Sequence, residues 1–375
     1  MTARRVLITG GAGFIGSHLA DALLAQEYRV RILDALVPQV HGPQRKRPTY
    51  LASGAELIVG DVQDPATVRR ALEDVEAVIH FAAAVGVGQS MYEIASYVAS
   101  NTQATAQLLQ VLSEGAHDVQ KLVVASSMSI YGEGAYRCAS CGPCTPPPRS
   151  SIRLESKQWE MVCPACGMIA EPVPTPEEKP LAPTSIYAIT KRDQEELCLC
   201  IGQAYGTPTV ALRFFNVYGE RQALSNPYTG VAAIFSSRLL NDQPPLIYED
   251  GQQSRDFVHV SDVVQATLLA MQRSEGDGQV FNVGTGHATT VAEVATGLAD
   301  SLGKRIAPQI LHTFRAGDIR HCVADIAKIR KALGYQPKVT FAEGMTRLSA
   351  WIRNQHPQDG VMEANVRLQE RGLIR

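Results

Sequence analysis

The stretch that decides the fold reads Arg5-Val-Leu-Ile-Thr-Gly10-Gly-Ala-Gly13-Phe-Ile-Gly16, in a chain of 375 residues. The apolar run before the glycines predicts a strand, and the residues after them predict a helix that ends near Tyr28. Glycines at these spacings permit a tight turn, let backbone N–H groups approach a pyrophosphate, and allow the helix to pack closely on the strand. The flanking strand and helix make the glycines a dinucleotide-binding fingerprint.

Later strands of the same half support a bound dinucleotide. A second predicted strand runs from Arg29 to Leu33 and ends in Asp34, about 20 residues beyond the glycines. An acidic residue there accepts a ribose 2′-hydroxyl and repels a 2′-phosphate, which favours NAD over NADP, although the loop Arg45-Lys-Arg47 keeps NADP open. Further strands are predicted at 56–59 and 77–81. Asp61, after the third strand, is read either as a cofactor contact or as a helix cap ahead of Pro65.

Strands that alternate with helical stretches at about 91–115 and 185–205 predict a doubly wound parallel (Rossmann) α/β sheet. Ligands of such a sheet lie beyond the carboxyl ends of its strands. We therefore expect the functional residues to follow strands directly along the chain.

Composition narrows the class of protein. The formal charge of −2 and the pI near 6.5 give no basic surface for nucleic acid or membrane. Met1-Thr-Ala-Arg-Arg leads directly into the strand-like Val6-Leu-Ile, which leaves no room for the apolar region of a signal peptide. No run reaches the ~18 apolar residues of a membrane span, so a cytoplasmic protein is expected. Thiols are normally reduced there, so the eight cysteines are better read as metal ligands or core residues than as disulfides.

Tyr187 and Lys191 stand four residues apart in a predicted helix, where such residues share one face. An ammonium about 4 Å from a phenol contributes roughly 4 kcal/mol at an effective dielectric near 20, or about three pKa units. This pairing predicts that the pKa of Tyr187 falls from about 10 to near 7, where the phenol can accept a proton. The alternative is an ordinary helix surface.

Ser126-Ser127-Met-Ser-Ile-Tyr131-Gly132 follows the fifth predicted strand and completes a Ser, Tyr, Lys set. With this set the chain resembles the extended short-chain dehydrogenase/reductases, in particular the nucleotide-sugar epimerases and dehydratases. Further motifs of that family occur at 212–219, 255–262, 281–284, 315–318 and 333–337. The resemblance covers nearly the whole chain outside residues 133–183.

The resemblance implies roles for individual residues. Ser127 hydrogen-bonds the sugar oxygen that is oxidised, Tyr187 accepts its proton, and Lys191 binds the nicotinamide ribose. Asn216, Arg255 and Arg315 hold the substrate diphosphate, for which guanidinium groups are well shaped. The residues expected to contact NAD are Gly10, Gly13, Phe14, Ile15, Gly16, Asp34, Asp61, Val62, Phe81, Ala82, Ala83, Asn101, Tyr187, Lys191 and Phe215.

The resemblance also implies an organisation. Residues 1–216 form the NAD-binding domain, to which 251–283 return, and residues 217–250 and 284–375 form a smaller substrate-binding lobe. Relatives commonly form homodimers through the helices that correspond to 91–115 and 185–205.

Two positions narrow the chemistry. Dehydratases of the family usually carry Asp-Glu directly after the catalytic Ser or Thr, where this chain has Met128 and Ser129, which are poor replacements for a general acid and base. The expected activity is therefore 4-epimerisation of a nucleotide sugar, dTDP- or UDP-linked, with NAD regenerated in each cycle. The alternatives are a UDP-hexose or UDP-uronate 4-epimerase, a dehydratase or decarboxylase, and an NAD-binding scaffold or sensor without catalysis.

The segment 133–183 is an insertion that holds five cysteines. Cys138-Ala-Ser-Cys141-Gly and Cys163-Pro-Ala-Cys166-Gly form two knuckles separated by 21 residues, a spacing typical of rubredoxin-like and zinc-ribbon sites. Zinc is favoured over iron because a structural clip needs no redox chemistry. Cys144 is treated as a spare thiol because no glycine follows it. The insertion is expected either to cover the active site as a lid or to act as a remote staple.

Overall fold

The computed structural model describes residues 4–375. The strands are β1 Arg5–Thr9, β2 Arg29–Asp34, β3 Glu56–Val59, β4 Ala77–His80, β5 Lys121–Ser127, β6 Ala135–Cys138, β7 Gly142–Cys144, β8 Glu171–Val173, β9 Thr209–Phe214, β10 Asn216–Tyr218, β11 Leu246–Ile247, β12 Ser254–Arg255, β13 Phe257–His259, β14 Val280–Val283, β15 Thr289–Thr290, β16 Gln309–Ile310 and β17 His321–Cys322. The helices are α1 Phe14–Ala25, α2 Pro38–His41, α3 Pro65–Leu72, α4 Val87–Ser90, α5 Ile94–Tyr97, α6 Ala104–Ser113, α7 Ser151–Glu155, α8 Ile186–Tyr205, α9 Val231–Leu240, α10 Val260–Gln272, α11 Val291–Leu302, α12 Ala327–Leu333, α13 Phe341–Ile352 and α14 Val361–Glu370.

The predicted parallel sheet is confirmed. Seven strands pair in the order β14-β9-β5-β4-β1-β2-β3, and every pair is parallel. A sheet buried on both faces needs apolar side chains on both, which explains the continuous apolar runs of β1, β4 and β9. Helices α1, α10 and α12 cover one face with one apolar cluster, and α3, α6 and α8 cover the other with a second cluster.

The helix expected over 91–115 is interrupted. It consists of α5, a π-helical segment Val98–Gln103, and α6. π-Helical turns inside α-helices often accompany functional sites, and this one brings the buried side chain of Asn101 against the residues that follow β4.

The rest of the chain forms a smaller lobe beside the carboxyl ends of the sheet. Its small sheets are β10-β13, β11-β16 and β15-β12-β17, and its helices α9, α11 and α13 share an apolar cluster. Among residues 4–375, no helix combines the length and the hydrophobicity that crossing a bilayer requires.

Arg213, on β9, joins the parts of the molecule. Its guanidinium donates two hydrogen bonds to the Glu195 carboxylate on α8 (3.0 and 2.6 Å), one to the Tyr131 hydroxyl (2.8 Å) and one to the Glu177 carbonyl (2.9 Å). Both charged side chains are nearly removed from water, at 6% and 3% exposure. The pair therefore fixes α8 against β9 and against the end of the insertion.

We predict that Glu195→Gln lowers the free energy of unfolding by about 3–5 kcal/mol, because it leaves the buried Arg213 charge without its partner. The matched control is Glu196→Gln on the same helix, whose pair with Arg192 is exposed and contributes under about 1 kcal/mol. Urea denaturation followed by circular dichroism compares the two variants. Equal midpoints for both would show that Arg213 does not depend on Glu195.

Candidate active site

A large cavity lies at the carboxyl ends of the parallel strands, between the sheet and the smaller lobe. Its volume is about 660 Å³. The loops after β1, β2, β3, β4 and β5, the start of α8, and residues 214–217 line it from the sheet side. This is the position at which parallel sheets bind ligands.

The glycine loop has the geometry that its sequence predicts. Gly10 has a φ of +68°, and a Cβ there would lie 2.8 Å from the backbone nitrogen of Ala82. A Cβ on Gly16 would lie 2.6 Å from the Cα of Gly11. Larger residues at either position would displace the loop from the amino terminus of α1, where free backbone N–H groups bind phosphate.

Asp34 ends β2 inside the same cavity, as expected for a ribose contact. Its carboxylate accepts hydrogen bonds from the backbone N–H groups of Ala12 (3.0 Å) and Leu36 (2.8 Å), which fix its position beside the glycine loop. The loop cation Arg45 donates to the Ala35 carbonyl (2.6 Å) and does not line the cavity formed by residues 4–375. The residues at this end therefore suit the ribose hydroxyls of NAD.

Asp61 also lines the cavity, together with Val62. The cap of helix α3 is Asp64, whose side chain accepts from the N–H of Ala66 (3.1 Å). The capping interpretation of Asp61 is therefore wrong. Its carboxylate accepts from the backbone N–H of Gln63 (2.9 Å) at the ligand-facing end of β3.

Ser127, Tyr187 and Lys191 line the cavity together. Ser127 ends β5, and its Oγ accepts a hydrogen bond from the Ser129 hydroxyl (2.9 Å). Tyr187 lies in the first turn of α8, where the side chain of Ser185 caps the helix by accepting from the N–H of Ala188 (3.1 Å). Lys191 follows one turn later and is 3% exposed.

The sequence-based prediction that Lys191 lowers the pKa of Tyr187 is wrong for the protein without bound cofactor. Burial raises the pKa of Tyr187, and the nearby Ser127 hydroxyl opposes part of that rise. The Lys191 ammonium donates to Gln194 Oε1 at 2.7 Å rather than to the phenol. Burial also lowers the pKa of Lys191 to about 8, because the pocket removes the ammonium from water.

A buried polar chain lies behind Lys191 that sequence reasoning missed. The amide of Gln194 donates to the Thr105 hydroxyl (2.8 Å) and contacts His80 Nε2 (3.2 Å), while His80 Nδ1 contacts the Thr9 hydroxyl (2.7 Å). Burial lowers the pKa of His80 to about 3, so the ring is neutral. A glutamine one turn after a lysine carries no sequence signal of its own.

Two expected cofactor residues take different positions. Phe215 lines the cavity beside Phe81, Ala82 and Ala83. Asn101 is fully buried behind the cavity wall, and its amide bonds the backbone N–H and carbonyl of Ala84 and the hydroxyl of Thr190. Its side chain therefore shapes the wall from behind instead of facing the ligand.

Asn216, Arg255 and Arg315 line the lobe side of the cavity, and Asn216 and Arg255 belong to the small sheets β10-β13 and β15-β12-β17 rather than to the parallel sheet expected for 1–216 and 251–283. Arg255 donates to the carbonyls of Ile319 (2.6 Å) and Arg320 (2.9 Å), and Arg315 pairs with Asp318 (2.8 Å). Within residues 4–375, three buried amide oxygens that line the cavity have no hydrogen-bond partner. They belong to Asn216, Gln222 and Gln253.

Helix α14, near the carboxyl terminus, also lines the cavity. Val361, Ala364 and Leu368 contribute apolar surface, and Asn365 accepts a hydrogen bond from the Tyr248 hydroxyl (2.8 Å). Sequence reasoning assigned this region to the substrate lobe without singling out the helix. Its amphipathic pattern indicates that one face of the helix is buried, but it does not indicate which part of the protein or ligand covers that face.

The four knuckle cysteines meet in a second place. The Sγ atoms of Cys138, Cys141, Cys163 and Cys166 all lie within 4.8 Å of one another. The glycine after each knuckle has positive φ, +78° at Gly142 and +74° at Gly167, as a tight turn around the sulfurs requires. Backbone N–H groups of Ala165 and Cys166 lower the pKa of the Cys163 thiol to about 6.

The lid hypothesis for the insertion is wrong in this structure. Within the described chain, the cavity wall includes Thr184 and Ser185 but no residue from 133 to 183. The insertion sheet, β7-β6-β8, instead lies against β17 and the residues around it, where Gly134 donates to the His321 carbonyl (2.8 Å) and Thr175 to the Val323 carbonyl (2.8 Å). The connections of the insertion begin near Ser127 and Tyr187, yet its body leads away from them.

Known proteins resemble the chain over its whole length. A model of the NAD dependent epimerase/dehydratase family matches residues 6–151, and a model described as GDP-mannose 4,6 dehydratase matches residues 167–348. A dTDP-L-rhamnose 4-epimerase of Burkholderia thailandensis is 35% identical over 94% of this chain and 96% of the relative.

Solved structures agree with these matches. A UDP-glucose 4-epimerase of Thermotoga maritima, solved with UDP-glucose, has a TM-score of 0.76 and 31% identity, covering 93% of this chain and 98% of that one. A UDP-glucose 4-epimerase of Thermus thermophilus, solved with NAD, has a TM-score of 0.74 and 31% identity, covering 94% of this chain and 100% of that one.

We predict that Asp34→Asn weakens NADH binding about tenfold or more, because a charge-assisted hydrogen bond to ribose contributes roughly 1.5–3 kcal/mol. The amide keeps an oxygen for one of the two backbone N–H groups, those of Ala12 and Leu36, that now donate to separate oxygens of Asp34. Asp64→Asn, the exposed cap of α3, is the control and should leave NADH affinity unchanged. Titration of NADH fluorescence measures both, and an unchanged dissociation constant for Asp34→Asn would contradict the ribose assignment.

Proposed function

The chain belongs to the NAD-dependent epimerase/dehydratase family, and from this membership we propose that it is a nucleotide-sugar 4-epimerase. The reaction oxidises C4 of the sugar transiently to a ketone and returns the hydride to the opposite face. The residues gathered in the cavity support this activity, because Ser127, Tyr187 and Lys191 meet beside a dinucleotide-binding loop.

Each member of the set has a role that its position allows. Tyr187 accepts the proton of the C4 hydroxyl, and Ser127 hydrogen-bonds the same oxygen. Lys191, buried beside them, would hold the nicotinamide ribose. Bound NAD supplies the hydride acceptor and, when oxidised, a positive ring charge that favours the Tyr187 phenolate. In the second half of the cycle Tyr187 returns the proton to the inverted C4 oxygen, so no net proton leaves the cavity.

The observation that favours epimerisation over dehydration is the absence of a carboxylate at the two positions after Ser127. Met128 and Ser129 line the cavity there, and the Ser129 hydroxyl is bonded to Ser127. The carboxylates on the wall formed by residues 4–375 lie elsewhere: Asp34 and Asp61 at the ends of β2 and β3, and Glu249 and Asp318 against arginines. Loss of water from C5 and C6 requires an acid and a base that these positions do not provide.

The preferred substrate is dTDP-L-rhamnose. The segments Gly86-Val-Gly-Gln-Ser90 and Gln222–Tyr228, together with the cysteine insertion, resemble the dTDP-L-rhamnose 4-epimerase type, and the relative from Burkholderia thailandensis has that name. Val85 and Val87 line the cavity with the apolar face of α14, and this surface suits the C6 methyl group of a 6-deoxyhexose.

A UDP-hexose 4-epimerase is the second candidate. The amide oxygens of Gln222 and Gln253 could accept hydrogen bonds from additional sugar hydroxyls, and a relative of known structure binds UDP-glucose. A uronate fits less well. The Lys and Arg side chains of the described cavity wall are Lys191, Arg255 and Arg315, which the cofactor and the diphosphate would engage.

We also propose that the protein is a homodimer. Ile94 on α5, Val98 on the π-helical segment and Ile189 on α8 are 50%, 41% and 43% exposed. They lie on the two helical stretches through which relatives are expected to pair, and burying them against a second copy would remove apolar surface from water.

The test is a panel of dTDP-, UDP- and GDP-sugars, with product stereochemistry read by NMR and no cofactor added. We expect inversion at C4, fastest for dTDP-L-rhamnose, and a loss of about 10²–10⁴-fold in turnover for Tyr187→Phe, because the phenol that moves the proton is gone. Phe keeps the ring and removes only the hydroxyl, so NADH affinity should change far less than turnover. Loss of water or carbon dioxide, or full turnover by Tyr187→Phe, would contradict the proposal.

We further propose that the four knuckle cysteines bind one structural zinc ion. Tetrahedral thiolates about 2.3 Å from zinc lie about 3.8 Å apart, which is compatible with the observed cluster. The insertion has only a small apolar cluster of its own, formed by Tyr136, Met161 and Ala170 with Cys144 against it. A segment with so small a core needs a further staple. Reduced thiolates of this kind also support a cytoplasmic location.

Elemental analysis of the purified protein tests the site, and we expect about one zinc ion per chain. Cys163→Ser should lose the metal, since it removes one of the four sulfurs. Cys144→Ser is the matched control within the insertion and should retain it. Iron in place of zinc would keep the site and change its ion. Metal-free wild-type protein, or equal metal in both variants, would contradict the assignment.

A further inference from the structure

The insertion extends three charged side chains into the substrate lobe. They are Glu133 before β6, Arg149 in the proline-rich arm, and Glu160 before the second knuckle. Each is at least half removed from water, and each bonds atoms outside the insertion. Charged side chains are rarely buried unless they are paired, and the partners of these three side chains lie in the substrate lobe.

Glu133 binds the backbone of β17 and the residue before it. Its carboxylate accepts from the N–H of Arg320 with both oxygens (2.8 and 2.9 Å) and from the N–H of His321 (3.3 Å). The Tyr136 hydroxyl donates to the same carboxylate (2.9 Å). Tyr136 belongs to the core of the insertion, so the carboxylate connects that core to the backbone at 320–321.

Arg320 is the largest fully buried side chain of the described protein, and acidic residues from both sides surround it. Glu160 of the insertion bonds its Nε (3.0 Å) and also its Nη2. Glu249 and Asp250 of the lobe bond its Nη1 at 3.0 and 2.6 Å. The hydrogen bond from His321, assisted by Arg320, lowers the pKa of Glu160 to about 2, so the carboxylate is ionised near neutrality.

Arg149 makes a parallel connection. Its guanidinium bonds both carboxylate oxygens of Glu249 (2.9 Å each) and donates to the Asp318 carbonyl (3.1 Å). Both side chains of the pair are 3–4% exposed. Its contacts therefore reach the lobe segment 315–321 at a second point.

These contacts converge on the backbone that holds the two cavity arginines. Arg255 donates to the carbonyls of Ile319 and Arg320, whose segment Glu133 and Arg149 fix from the other side. Arg315 pairs with the Asp318 side chain, and the carbonyl of that residue accepts from Arg149. Each cavity arginine therefore contacts a residue that an insertion side chain also contacts. Arg320 connects Arg255 to Glu133. Asp318 connects Arg315 to Arg149.

We propose that the insertion is a metal-held strut that positions Arg255 and Arg315 to bind the diphosphate of the substrate, with Glu133, Arg149 and Glu160 as the positioning residues. The proposal rests on the proposed function in one respect, that a nucleotide diphosphate occupies this end of the cavity. The strut acts from outside the cavity wall, so it sets the affinity for the nucleotide without contacting it.

The proposal predicts different effects on the affinity for NAD and on the affinity for the nucleotide sugar. The glycine loop follows β1 and Asp34 ends β2, and neither makes a hydrogen bond or ion pair with residues 133–183 of the described chain, so NAD affinity should not depend on the strut. Ser127 and Tyr187 likewise keep their own contacts. Loss of a positioning residue should therefore raise KM for the nucleotide sugar and leave kcat nearly unchanged.

Glu133→Ala is the direct test. Calorimetric titration with dTDP and with UDP should show affinity reduced about 10- to 100-fold, because the N–H groups of Arg320 and His321 lose their acceptor and the carbonyls that hold Arg255 are no longer fixed. KM should rise in proportion while kcat stays within about twofold, and NADH affinity should equal that of the wild type. Glu133→Gln keeps the shape and one acceptor and should lose less affinity than Glu133→Ala. Glu155→Ala, an exposed glutamate of the insertion, is the matched control.

The outcomes distinguish the strut from the proposed activity. Wild-type nucleotide affinity in Glu133→Ala would overturn the strut, even if the enzyme inverts C4. Equal losses of nucleotide and NADH affinity would also overturn it, because they indicate general unfolding. If the wild type inverts no sugar while Glu133→Ala still loses dTDP or UDP affinity, the strut stands and the 4-epimerase assignment fails. Where Glu133→Ala does not fold, Glu133→Gln decides, with an expected loss of about three- to tenfold.

Discussion

The buried guanidinium of Arg213 is the contact on which the arrangement of the site depends. It reaches α8 through Glu195, the turn after Ser127 through the Tyr131 hydroxyl, and the end of the insertion through the Glu177 carbonyl. Tyr131 in turn donates to Asn282 on β14, so Arg213 is connected through Tyr131 to the edge strand of the sheet. Ser127 and Tyr187 come from elements separated by the whole insertion. A charge that must be satisfied by groups from each of these elements holds them in one register, because leaving any of them unpaired in a dry interior is costly.

The parts of the site that sequence could predict are those in which backbone geometry dictates the residue. Gly10 needs a positive φ and the absence of a Cβ, and Asp34 stands where the second strand of such a sheet must end, so a pattern of residue types reveals both. Lys191 was predictable in position and not in its hydrogen bond. Four-residue spacing places it near Tyr187, whereas its rotamer depends on Gln194, and the position of that amide depends on His80 and Thr105 from other elements. The apolar face of α14 belongs to the same class, since the pattern shows a covered face and tertiary packing alone decides what covers it.

The insertion shows why tethering points are poor evidence of placement. Its ends lie next to Ser127 and Tyr187, which favoured a lid, yet the charges at Glu133, Arg149 and Glu160 direct its body towards Arg320 and Glu249. Isolated charges in a loop normally indicate solvent exposure. Here they are largely buried because their partners in the substrate lobe are buried, which the sequence of the insertion does not show. The cysteines, by contrast, were predictable as a cluster, because two knuckles with glycine after each can close around one ion without help from the rest of the fold.

A 4-epimerase must hold one part of its substrate firmly and leave another part free. The ketone has to present both faces to the same hydride donor, so the sugar must turn within the cavity while the nucleotide stays bound. The division seen here suits that requirement. Arg255 and Arg315 are fixed by backbone carbonyls, a carboxylate and, behind them, the insertion, and directional ionic contacts of this kind resist movement. The wall formed by Val85, Val87 and α14 offers apolar contact, which has little directional preference. On the proposed function, rigid binding at the diphosphate would supply the affinity, and the apolar end would let both orientations of the ketone be reached from one bound state.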